Sequence, residues 1–122
     1  MADVFVNAGK AITTNLVSGL GGTVPKFMAI GTGSTTATAT DTAVETEVET
    51  RATCTITRVT TTVTNDTVQN VGTITATTGR AVANAGILDA SSSGNLYQHH
   101  DFAPVNLNNG DSIQITFKMK YA

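Results

Sequence analysis

Asp111-Ser-Ile-Gln-Ile-Thr-Phe-Lys-Met-Lys-Tyr121 alternates polar and apolar side chains without a slip. Successive side chains of an extended strand point to opposite faces, so Ile113, Ile115, Phe117, Met119 and Tyr121 share one face and the polar residues take the other. Upstream, between residues 32 and 78, nearly half of the positions are threonine, whose branched Cβ favours extended backbone. Together these stretches predict a β-rich structural module.

Composition narrows the reading. The 122 residues are one domain in size, 1–122, and the sequence shows no repeat at fixed period and no linker separating two domains. Threonine fills 24 positions, Trp is absent and aromatic residues make up 5%. Each threonine brings a hydroxyl that an apolar core has to satisfy, so the core available to one chain is thin. Charged residues are 13% and the net charge is -2, a surface suited to being covered by neighbours. Lys10, Lys26, Arg51, Arg58, Arg80, Lys118 and Lys120 are scattered, which argues against a nucleic-acid partner. The apolar stretches fall far short of the roughly 20 residues a membrane span needs. Lys10 and its polar neighbours interrupt any secretory segment, which predicts synthesis in the cytoplasm. Cys54, alone in Thr-Cys-Thr-Ile-Thr, reads as a small buried strand residue.

Along the chain, Val4-Phe5-Val6 is followed by Asn7, a candidate helix cap. Ala8, Ile12 and Leu16 recur at helical spacing and Gly19, Gly21 and Gly22 offer a stop, which predicts a helix over about 8–18. Pro25 to Ile30 reads as a buried strand, and residues 32–40 as a Thr-rich loop or arm with little apolar bulk. Asp41 to Val48 fits either one helical turn or an extended edge segment. From Thr53 the strand pattern is plain, with Cys54 and Ile56 in one phase and Val59, Thr61 and Val63 in the other. That slip at Arg58-Val59 predicts a β-bulge. Asn65-Asp66, Gly79-Arg80, Asp89 to Asn95 and Asn108 to Asp111 are turn signals, with strand candidates over Val68–Thr77, Leu96–Phe102 and Val105–Leu107. The expected fold is mainly β: a compact antiparallel β-sandwich or small barrel with one short N-terminal helix and extended arm or loop segments.

Reactive groups are few. His99 and His100 are neighbours in a strand candidate and point to opposite faces, so they do not converge on one metal ion and read as a solvated or interface pair. Gly31-Thr-Gly33 lacks the further glycine and the lysine of a phosphate loop. Glu45, Glu47 and Glu49 alternate along one strand face, as at a solvated edge that resists unwanted pairing. Asn65-Asp-Thr67 matches a glycosylation sequon too short to be specific. No catalytic, metal-binding or cofactor-binding residue is assigned, and no enzymatic activity is expected.

Two stretches carry a family resemblance. Ala29-Ile-Gly-Thr-Gly33, the Thr-rich run, Asp41-Thr-Ala-Val-Glu-Thr-Glu-Val48 and Arg51 resemble the front half of a recurrent small structural protein of tailed bacteriophages. Ala85-Gly-Ile-Leu-Asp89, Gly94-Asn-Leu96, Phe102, Val105-Asn-Leu107 and Asn109-Gly-Asp111 resemble its back half. Members of that kind are virion components: capsid decoration (cement) proteins and parts of tail fibres or baseplates. The resemblance departs at Asn84, where the family often has an acidic residue.

The resemblance implies a virion location and, as partners, the major capsid protein and copies of the chain itself, with a homotrimer filling local three-fold positions of the outer shell. The alternative it leaves is a tail-fibre or baseplate module contacting other tail proteins or a host receptor, although a chain with Tyr97 and Tyr121 and no Trp is poorly equipped to stack on sugars. Residues 1–7 and 32–40 are the candidate arms. The candidate assembly contacts are Val4, Phe5, Val6, Thr35, Thr36, Thr38, Tyr97 and Phe102.

Overall fold

The computed structural model describes residues 3–121. Strand β1 (Asp3–Phe5) leads into helix α1 (Asn7–Ser18), followed by β2 (Phe27–Gly31), β3 (Glu47–Thr53), β4 (Thr55–Val59), β5 (Thr67–Thr75), β6 (Arg80–Leu88), β7 (Leu96–Leu107) and β8 (Ser112–Lys120). All pairings are antiparallel. One sheet has the order β1-β7-β6-β2-β3 and the other β4-β5-β8, and neither closes into a barrel.

The alternation that opened the sequence reading governs β8. It pairs with β5 in unbroken register from Thr75↔Ser112 to Thr67↔Lys120. Phe117 and Met119 are buried, Ile113 and Ile115 half-buried, and every polar residue between them is exposed. This face meets the larger sheet: Ile74, Phe117 and Met119 pack with Met28, Ile30, Val82 and Ile87 in one core cluster. The opposite face of the larger sheet carries a smaller cluster of Val6, Ala29, Val44, Leu88 and Leu96. Because β6 is covered on both faces, it reads as a run of small apolar residues without alternation.

Helix α1 ends as its glycines require, with Gly19 at φ 72 taking the left-handed position and its N–H turning back to the carbonyls of Asn15 and Leu16. At the other end Asn7 is the first helical residue and not the cap. Val6 occupies the cap position, with no side-chain hydrogen bond, and its side chain is fully buried.

The expected bulge at Arg58-Val59 is absent. β4 faces β5 in continuous register from Thr55↔Val71 to Val59↔Thr67 and then stops, and the apparent change of phase is a loop held by Asp66, whose carboxylate accepts the N–H groups of Thr61, Thr62 and Val63. Register shifts lie elsewhere. Between Met28 and Ile30 the pairing of β2 with β3 slips, at a point where Glu49 adopts φ 66. Between β6 and β7, Val82 faces Val105 and Asn84 faces Asp101, so Phe102, Ala103 and Pro104 stand opposite Ala83 alone. Pro104 thus sits inside one long strand at the irregularity that tolerates it.

Three connections carry the chain between sheets: β3 to β4, β5 to β6 and β7 to β8. At Cys54, whose N–H bonds the carbonyl of Lys26, β3 of the larger sheet becomes β4 of the smaller one. The Asn108–Asp111 turn is tight, but it links β7 to β8 across sheets and forms a corner instead of a paired hairpin.

Of the candidate arm 1–7, the described residues form β1 and the start of α1, and residues 32–40 take the loop form of the loop-or-arm reading. Asp3, Val4 and Phe5 pair with His100, His99 and Gln98, so β1 is an edge strand; Met1 and Ala2 lie outside the described residues. Residues 32–46 form a loop over the outer face of the larger sheet, anchored by the Ala37 N–H to Asp101 (2.7 Å) and by the Asn7 N–H to the carbonyl of Ala39 (2.8 Å). Its low apolar content, which reads as an extended loop or arm, is compensated by hydrogen bonds to buried polar side chains beneath it.

Candidate functional site

Asn84 and His99 on β6 and β7 lie side by side under the Thr-rich loop. Asn84 is fully buried and all its amide valences are used. Its Oδ1 accepts from the Glu45 N–H (3.0 Å), and its Nδ2 donates to the carbonyls of Gly33 (3.0 Å) and Glu45 (2.9 Å). These backbone partners fix the amide orientation, so Nε2 of His99, 2.9 Å away, donates to the same Oδ1. The other ring nitrogen, Nδ1, lies 2.7 Å from the carboxylate of Asp41, a second acceptor. Each ring nitrogen faces an acceptor.

Burial pushes the Asp41 carboxyl upward, but the Thr38 N–H and hydroxyl and the His99 ring outweigh it and hold the group below its ordinary value. This cluster resembles the carboxylate and imidazole half of a hydrolytic site, yet its chemistry is spent internally. Nε2, the nitrogen that would serve a nucleophile, is engaged by an amide, and the ring is 3% exposed. The reading of His99 as solvated or interfacial is therefore corrected: His99 is interior, while His100, on the opposite face as expected, packs its ring edge-on against Phe102 and Phe117.

The three glutamates do not line a free edge. Glu45 accepts from the N–H and hydroxyl of Thr35, Glu47 is paired with Arg51, and Glu49 with Arg80 and Thr77. Glu49 leaves the alternation because its left-handed backbone turns the side chain inward, where the Thr77 N–H and the Arg80 guanidinium lower its pKa. Among the described residues no three His, Cys, Asp or Glu side chains are grouped to hold a metal ion. Burial pushes the thiol of Cys54 up to about 11, which fits the reading of a structural, unreactive cysteine.

The surface offers a different kind of site. An open cleft of about 420 Å³ runs between α1 and the inner face of the smaller sheet, with Leu16, Val17, Val24, Ile56, Val68 and Tyr121 on its walls and Tyr97 also lining it. Its walls are apolar and open to solvent: Val17 is 84% exposed, and Leu20, just beyond the cleft, 85%. Leu16 follows the helical stripe of Ala8 and Ile12, but the smaller sheet stops short of it, so the end of the stripe faces solvent. At the base of the cleft the hydroxyls of Tyr97 and Tyr121 meet, and the Phe5 ring packs on both. Burial and the Tyr121 hydroxyl raise the pKa of Tyr97 well above the ordinary phenol value.

Of the residues expected to make assembly contacts, Thr35, Thr36 and Thr38 are exposed together on the loop and Phe102 is half-buried at a separate opening between β7 and β8. Val4 and Phe5 are half-buried in β1, while Val6 and Tyr97 are interior. The cleft residues Val17, Val24 and Ile56, and the exposed Leu20 beyond them, escape a sequence reading because nothing local separates an exposed apolar side chain from a buried one. The only signal is that Val17 and Leu20 fall outside or beyond the Ala8, Ile12, Leu16 stripe.

Compared with known proteins, the chain matches no family model, no curated protein and no solved structure.

Proposed function

We propose that this chain is a non-enzymatic assembly module of a phage particle, a capsid decoration protein that binds the outer shell at local three-fold positions and stabilises it as a homotrimer. The observation that carries the assembly reading is the exposed apolar cleft with Val17 on its wall, and Leu20 exposed just beyond it. A chain with so few charges gains by covering such a surface, at roughly 25 cal/mol for each Å² of apolar area removed from water. The open edges β1, β3, β4 and β8 supply backbone groups for neighbours to pair with. The virion placement is supported by the sequence resemblance described above, with the major capsid protein as partner.

The test is the copy number of this polypeptide per purified particle, measured by quantitative mass spectrometry against the major capsid protein. The expected result is a count near that of the capsid subunits. A few to a few dozen copies would move the chain to the tail, and its absence from particles would overturn the reading.

A further inference from the structure

We propose that the cleft beside α1 receives an extended, acidic segment of a partner protein, which adds as a strand to the free edge of β4 and turns alternate apolar side chains into the cleft. The proposal rests on the assembly reading and names the chemistry of the partner at that surface.

The edge comes first. β4 lies at the end of the three-stranded sheet, bonded to β5 on one side only, and Thr55 to Arg58 are exposed. Such an edge leaves a row of backbone N–H and C=O groups that an incoming strand can satisfy. Its side-chain register is the right one for the cleft. Ile56 faces Asn70 and Arg58 faces Val68 across the pair, and Ile56 and Val68 both line the cleft. A strand laid beside β4 continues that inner face, so its inward side chains meet Leu16, Val17 and Val24.

Charge selects the segment. Lys10 stands one helical turn before Thr13 and two before Val17, Lys26 directly follows Pro25, and Arg58 shares the inner face with Ile56; Thr13, Val17, Pro25 and Ile56 all line the cleft. All three cations are exposed, and among the described residues none is ion-paired, whereas Arg51 and Arg80 are taken by Glu47 and Glu49. An apolar groove with unpaired cations at its rim fits a segment that alternates carboxylates with aliphatic side chains.

A second copy of the chain is a poor donor of that segment. All nine of its acidic side chains already accept hydrogen bonds within the fold. A lipid surface is disfavoured as well, because seating the cleft in hydrocarbon would take the unpaired edge of β4 out of water. The remaining partner is a different protein.

The test uses the full chain and the synthetic peptide acetyl-Glu-Val-Glu-Leu-Glu-Val-Glu-amide, titrated by calorimetry and by amide chemical shifts. The expected result is saturable binding with shifts in β4 and α1, weaker by about tenfold or more for the counterpart with lysine at every glutamate position. The exposed double variant Lys26→Glu/Arg58→Glu should reverse that preference. N-methylation of alternate peptide amides should abolish binding in one phase and spare it in the other, since a strand offers only one edge to β4. Equal binding of the acidic and basic peptides, or tolerance of N-methylation in both phases, would overturn strand addition. So would failure of the peptide together with co-sedimentation on vesicles of phosphatidylcholine and phosphatidylserine, which would assign the surface to a membrane. The assembly reading is decided separately by the particle count, and either can fall without the other.

Discussion

Nε2 of His99 and Oδ1 of Asn84, 2.9 Å apart on neighbouring strands, join the larger sheet to the loop that covers it. Asn84 holds the loop at Gly33 and Glu45, and His99 holds it at Asp41, so one pair of interior side chains anchors it at three places. The amide is essential to this arrangement, because only an amide can accept from His99 while donating to two carbonyls.

Asn84→Asp keeps the acceptor for His99 but removes both donors and sets a carboxylate against the carbonyls of Gly33 and Glu45. Leaving buried acceptors unpaired costs about 1–3 kcal/mol, so the expected loss is about 2 kcal/mol in urea unfolding, with accelerated amide exchange confined to residues 32–46. Unchanged exchange in that loop would count against the anchoring role.

Gly9 sits in α1 where it crosses β7, and a Cβ there would lie 2.2 Å from the carbonyl oxygen of Tyr97. Replacing a helical glycine by alanine ordinarily stabilises, by up to about 1 kcal/mol in a helix interior. Here the clash dominates, because a Cβ is fixed in place by its own Cα and the carbonyl oxygen belongs to backbone, so neither can swing away. Gly9→Ala is expected to destabilise by about 2 kcal/mol or more, read from the midpoint of thermal or urea unfolding, and a rise in that midpoint would refute the close approach.

Asn70 on β5 is 1% exposed and its Oδ1 has no hydrogen-bond partner among the described residues. It shares the inner face with Ile74, next to Phe117 on β8. Asn70→Leu removes an unsatisfied group at similar volume and is expected to stabilise by about 1 kcal/mol. A loss of that size instead would mean that the amide is satisfied in solution.

Acid should unfold the chain through its hydrogen-bonded carboxylates. Asp66 is held well below its ordinary 3.8 by the N–H groups of Val63, Thr61 and Thr62. Glu49 is lowered by the Thr77 N–H and by Arg80, and Asp41 by Thr38 and His99 against the opposing effect of burial. The folded state binds these protons more weakly than the unfolded chain, so the stabilisation is complete above the ordinary carboxylate range and disappears as pH falls through the lowered values. Urea midpoints should hold from about pH 7 to about pH 5 and decline below about pH 4. Asp66→Asn should flatten the decline, and a midpoint that rises on acidification would contradict it.

Deleting residues 1–6 separates an arm from a structural strand. A free arm could be removed without loss of stability, but here Val6 is fully buried and Phe5 packs on Tyr97 and Tyr121. The truncated chain is expected to lose about 2–4 kcal/mol. Wild-type stability with weakened particle binding would restore the arm.

The sequence by itself determined what depends on neighbours along the chain. The alternation from Ile113 to Tyr121 set the buried face of β8, and the spacing of Ala8, Ile12 and Leu16 with Gly19 set the extent of α1. Side-chain capping and backbone freedom likewise marked the turns at Asp66 and Asn108–Asp111. Tertiary structure decided the rest. It placed the crossing between sheets at Cys54, turned Glu49 inward through a left-handed backbone, buried His99 under a loop 58 residues away from it in sequence at Asp41, and left the end of the helical stripe uncovered beside β4. The physical reason is that periodicity reports which side chains share a face, whereas what covers that face depends on contacts between distant segments.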